Sequence, residues 1–250
     1  MKLFDKYVKE AAALLQPYLN EYGQAVEADG ACWPLASRNA FIMERDTAVE
    51  LGGYPKESVN LIVSSSSELP FDLEEFTQIL DFAHAMRDEN GRSACMDCAE
   101  THQSFGKIVF LQTEELTDDK VYDFQQAVQL ADLRLYLEHV MSRTSSRQYQ
   151  MNLRIGRKAA EEGLGLDAMV RTMRQHFLQI PGVKDAAVIL LAGDSPLYKD
   201  LLPIAEKVKD VTAALNTMFE GIDMDCGSCS LNEICDEVEG LREMHRNRRK

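Results

Sequence analysis

Three of the chain's six cysteines fall in residues 226–250, as Cys226-x2-Cys229-x5-Cys235. Thiolates this close in sequence converge readily on one soft metal centre, either an iron–sulfur cluster or zinc. Three thiolates are one short of a four-cysteine site. Candidates for the fourth ligand are Cys95, Cys98, His102, His245, an external thiolate or a second chain. Cys95-x2-Cys98 is itself a chelating pair, so Cys95/Cys98 and Cys226/Cys229 would make a four-thiolate zinc site if the fold joins them. The acidic neighbours Asp223, Asp225 and Asp236 oppose a reactive thiolate, which favours metal binding over thiol catalysis. Cys32, beside Trp33 and Pro34, reads as a small buried hydrophobe.

Other chemical templates are absent from the sequence. It contains no G-x4-G-K-[ST] phosphate loop, no G-x-G-x-x-G and no G-x-S-x-G elbow. Gly163-Leu164-Gly165 reads as a helix end. His84, His139 and His176 fall on predicted helices, as surface or internally satisfied side chains rather than bases. Acid pairs such as Glu74-Glu75, Glu114-Glu115 and Glu161-Glu162 mark solvated faces.

The elements that must position these cysteines are set by composition and periodicity. At 250 residues the chain holds one large domain or two small ones. A net charge of −14 argues against nucleic-acid phosphates or an anionic membrane surface as partners. The basic end, Arg242 to Lys250, complements a helix C-terminus. Met1 to Glu10 is charged throughout, unlike a signal peptide. The longest apolar run, Ala186 to Ala192, falls far short of the roughly 20 residues of a membrane helix. These features predict a cytoplasmic protein, where C-x2-C pairs bind metal or do redox work.

Residues 1–29 carry a helical apolar stripe, Gly30 to Arg45 is irregular, and Gly52-Gly53 with Pro55 makes a turn. Val59 to Val63 reads as a strand. Leu73, Phe76, Leu80 and Ala83 are spaced for one helix face behind an Asp72 cap. Beyond the Cys95–Cys98 loop the signals alternate. They give a strand at Lys107 to Leu111, a helix from Thr117 or Asp118, a strand at Gln150 to Ile155, and a helix at Asp167 facing inward through Val170, Met173 and Phe177. A strand at Ala186 to Leu191 follows, then a long helix opened by Ser195-Pro196 with its stripe at Leu201, Ile204, Val208, Val211, Leu215 and Met218. This order predicts an α/β (or α+β) fold, small sheets covered by helices, with strand direction open. The expected organisation is an N-terminal region 1–105 with the C-x2-C loop, an α/β domain 106–221, and a cysteine segment with basic tail 222–250.

Read together with the terminal cysteines, this order resembles acetyl-CoA synthase, the β subunit of the carbon monoxide dehydrogenase/acetyl-CoA synthase complex. The likeness spans about 45–235. It is carried by RDTAVELGGYPKESVNLI at 45–62, MNLRIGRKAAEEGLGLDAMVRTMRQHF at 151–177, and VKDAAVILL at 183–191 before a long charged helix. The resemblance implies that Cys226 and Cys229 match the family's first C-x2-C on a [4Fe–4S] cluster, with Cys235 as third ligand. No cysteine follows Cys235, and the Cys-Gly-Cys that holds nickel in that family is absent. The resemblance therefore implies a cluster-bearing relative, an accessory or electron-transfer component of CO and acetyl-CoA one-carbon metabolism in an anaerobe. It would work with a protein partner of that system, or as a homo-oligomer. A short catalytic subunit completed at an interface, and a zinc-stabilised interaction module, are the other two readings.

Overall fold

A computed structural model describes residues 2–69, 71–82, 102–144, 149–219, 229–238, 240–241 and 243–244. Its longest strands are the apolar runs of the sequence. β9 (Val183–Ala192), buried on both faces from Ala186 onward, and the nearly wholly buried β6 (Phe105–Thr113) pair antiparallel at the centre of a five-stranded sheet. Near-continuous burial is why these strands lack the alternation of a half-solvated sheet. Parallel to β6 lies β3 (Ser58–Ser65), and parallel to β9 lies β4 (Gln78–Asp81), which carries the short edge strand β1 (Gly23–Ala25) antiparallel to it. The order β1-β4-β9-β6-β3 is thus a mixed sheet, and it interleaves strands from both sides of residue 105.

One face of this sheet is covered by α1 (Asp5–Tyr22) and α5 (Leu197–Phe219). Tyr7, Ala11 and Leu15 of α1 and Leu201, Val211 and Leu215 of α5 are buried against Leu61, Ile108 and Ile189. Each fully buried Leu or Ile there contributes about 1.5–3 kcal/mol. Ser195 Oγ accepts from the Leu197 amide at 3.3 Å, which starts α5 where the Ser-Pro signal predicts. The other face packs on α4 (Leu166–Leu178), on α2 (Asp118–Leu133), and on a four-stranded sheet. That sheet has the order β5-β2-β8-β7, from His102–Gln103, Thr47–Gly52, Met151–Gly156 and Val140–Thr144 respectively. Short α3 (Arg157–Glu161) follows β8 directly. The mixed α/β class is the one the alternating signals predict.

Several elements differ from the sequence reading. The helix expected behind Asp72 is a single turn. Asp72 Oδ1 accepts from the amides of Glu74 and Glu75 at 2.8 and 3.0 Å, and Thr77 Oγ1 bonds Leu73 O at 2.8 Å. The chain then enters β4, because Ile79 and Leu80 gain ladder bonds beside β9. The N-terminal helix ends at Tyr22, where Gly23 turns the chain into β1. His139 lies off any helix, at φ 59° in the turn before β7, with its carbonyl accepting the Gly156 amide. Cys32 is exposed, not buried. Its loop is held instead by Trp33, whose amide bonds Thr172 Oγ1 at 2.6 Å and whose indole N–H bonds Glu138 O at 2.8 Å.

Candidate metal centre and a buried polar cluster

The cysteine segment reaches the body of the protein through α6 (Asn232–Glu237), which packs on α5. Ile234 and Val238, one turn apart, are buried against the α1/α5 layer, and half-buried Cys235 lies beside them. Glu237 adds a surface clasp. Its Oε1 accepts from Lys6 Nζ of α1 at 2.6 Å and from Lys207 Nζ of α5 at 2.8 Å, with Oε2 3.1 Å from Lys207. The Lys207 and Lys6 hydrogen bonds hold the Glu237 carboxyl below its ordinary value. Beneath it, burial pushes the Tyr7 phenol up to about 12, with Glu237 adding to the shift.

Cys229 stands just before α6. Its carbonyl accepts the Asn232 amide at 3.1 Å, and its Sγ accepts the Leu231 amide at 3.4 Å. Backbone N–H donors aimed at sulfur are the bonds that support metal-bound thiolates and set cluster potential. Cys229 and Cys235 therefore share one short segment, whose α6 part is anchored to the body. Cys226, Cys95 and Cys98, and with them His245, lie outside the described residues. His102 is in the other layer, on β5, with Nε2 2.9 Å from Gly52 O. That position separates it from α6 by the five-stranded sheet.

A second constellation escaped the sequence reading. The parallel register of β3 and β6 sets Asn60 beside Lys107, both on the face away from α1. Lys107 is 2% exposed, and its Nζ is ion-paired to Asp132 Oδ1 near the end of α2. Asn60 Nδ2 donates to the other oxygen, Oδ2, at 2.8 Å. The Phe177 ring of α4 lies 5.8 Å from the ammonium. A buried charge needs both a counter-ion and further hydrogen bonds, and here the carboxylate has both. The signal in the sequence was a lone polar residue in each apolar run, Asn60 in VNLIV and Lys107 in GKIVFL. Only the pairing register reveals that the two are neighbours.

At the entry to β6, Ser104 donates to Asp194 Oδ1 at 2.5 Å, and Lys56 Nζ lies 3.1 Å from Asp194 Oδ2. The Ser104 hydrogen bond, with help from Lys56, holds the Asp194 carboxyl low. Ser104 is buried, so this group fastens the crossing between the two sheets rather than offering a nucleophile.

No protein-family model matches the chain, and no curated protein matches it. Among the described residues no helix is long and apolar enough to cross a membrane.

Proposed function

We propose that this chain is an iron–sulfur protein related to acetyl-CoA synthase, an accessory or electron-transfer component of cytoplasmic CO and acetyl-CoA one-carbon metabolism. Cys226, Cys229 and Cys235 would hold a [4Fe–4S] cluster, with the fourth iron ligated by Cys95, Cys98 or a partner of the CO dehydrogenase/acetyl-CoA synthase type. Bound there, the cluster supplies one-electron transfer. The observation that carries the reading is the docked terminal segment, where half-buried Cys229 and Cys235 flank the start of α6 and the Leu231 amide donates to Cys229 Sγ. What the chain's own residues contribute is anchorage. Glu237 ties the segment to α1 and α5, and Ile234 and Val238 bury its inner face.

Anaerobic purification with iron, sulfide and zinc analysis tests this, on the wild type and on Cys226→Ala/Cys229→Ala. The expected result is about four iron and four sulfide per chain with absorption near roughly 400 nm, lost in the double variant. Zinc alone, or metal that survives the substitutions, overturns the cluster reading. Zinc lost on replacing either C-x2-C pair would identify the interaction module instead.

A further inference from the structure

A concavity of about 490 Å³ lies where the chain crosses from the second sheet into the first, between residues 53–58 and the ends of β7 and β8. Strand register puts Arg143 of β7, Asn152 of β8 and Gly52 of β2 in one row across the second sheet. At about 4.8 Å per strand, the Arg143 backbone stands roughly 10 Å from Gly52, with Asn152 between them. The turn that follows Gly52 is braced. Gly52 O accepts from Asn152 Nδ2 at 2.9 Å and lies 2.9 Å from His102 Nε2. A concavity of this size on a braced frame suits a small molecule. We propose that it binds a zwitterionic α-amino acid with an apolar side chain, its carboxylate on Arg143 and its ammonium on Glu57.

The charges on its walls select this class. The charged side chains that line it are Lys56, Glu57 and Arg143. Lys56 is committed, with Nζ 3.1 Å from Asp194 Oδ2. Glu57 and Arg143 are both exposed, and neither side chain has an ion-pair or hydrogen-bond partner among the described residues. They do not pair with each other either. One anion beside the turn and one cation on β7 give the concavity no net preference for either sign of charge. A dipolar ligand answers both. Arginine grips a carboxylate through two parallel N–H bonds, and a carboxylate is the natural acceptor for an ammonium group. Tyr54, 98% exposed on the turn, joins Pro55 and Met151 in offering apolar surface to the ligand's side chain. A ligand carrying a single charge would meet one wall residue of its own sign.

No cysteine lines the concavity, so binding should persist in the Cys226→Ala/Cys229→Ala chain. Calorimetric or NMR titration of the full chain tests the proposal with leucine, with isocaproate, which lacks the amine, and with isopentylamine, which lacks the carboxylate. The expected result is saturable leucine binding in about the 0.1–10 mM range, with both analogues weaker by roughly tenfold or more. Arg143→Met and Glu57→Gln should each weaken leucine roughly tenfold. The charge exchange Arg143→Glu with Glu57→Arg should bind leucine better than Arg143→Glu alone, because it restores one charge of each sign. Both positions are exposed, so the variants should fold. Absence of saturable leucine binding overturns the proposal. Either analogue binding as tightly as leucine, or affinity unchanged in Arg143→Met, overturns it too.

Discussion

The two faces of the five-stranded sheet treat charge in opposite ways. On one face, Lys107 and Asp132 are withdrawn from water and held by Asn60, with the pair built into the packing between β6, β3 and α2. On the other, the fork of Lys6, Glu237 and Lys207 lies at the surface, where solvent screens it, and clasps a six-residue helix to its neighbours. The first arrangement is costly to break because each charge would be left buried without its partner. The second is cheap to break because water replaces the lost partner. Of the described cysteines, Cys235 sits on the cheaply clasped element and Cys229 just before it.

The largest test of this contrast is Lys107→Ala. Leaving Asp132 without its counter-ion should destabilise the fold by about 3–5 kcal/mol in urea denaturation. Lys107→Met combined with Asp132→Leu should recover most of that loss, since removing both charges also removes their desolvation cost. A single-variant cost below about 1 kcal/mol would place the pair in the same class as the surface fork and dissolve the comparison. Next in size is Asn60→Leu, which takes away the donor on Asp132 Oδ2 and should cost about 1–3 kcal/mol. In a double-mutant cycle Asn60 and Lys107 should couple strongly, because both act on one carboxylate.

The same asymmetry governs what could be read from the sequence. The stripe Leu201 to Leu215 and the run Ala186 to Leu191 announce α5 and β9, because deep burial leaves a periodic or continuous apolar imprint. The second sheet left only one readable strand, β8. β2 carries Glu50, paired with Arg154 at 3.2 Å, and β7 ends in exposed Arg143 and Thr144, so neither run shows a clean pattern. The turn at 73–76 mimicked a helix because Leu73, Phe76 and Leu80 all reach the core, the first two from the turn and the third from a strand. The Cys226, Cys229 and Cys235 spacing is a pattern of residue type and separation that the sequence displays by itself, and it defines the proposed ligand set. The Lys107–Asp132–Asn60 cluster was not legible, because its members lie 25 and 72 residues apart and meet only through strand register and the end of α2.

The smallest expected effect concerns the fork, and it sharpens the contrast most directly. Glu237→Gln keeps an acceptor oxygen and removes the charge, so it should weaken α6 docking by only about 0.5–1 kcal/mol. Global stability should barely change, while amide exchange in residues 234–238 speeds up and the Cys235 thiol becomes more reactive towards a maleimide. The pH dependence has a definite sign. Lys207 and Lys6 lower the Glu237 carboxyl below its ordinary value of 4.5, so its contribution is complete above that pH. It is lost as the pH falls through the lowered value, when the carboxylate gains a proton and the two ammonium groups lose their shared anion. Acid should therefore loosen α6, still held by Ile234 and Val238, before the core yields, and Glu237→Gln should remove that early step. If α6 and the core loosen together at every pH, the clasp is part of the core, and Cys235 is held as firmly as Lys107.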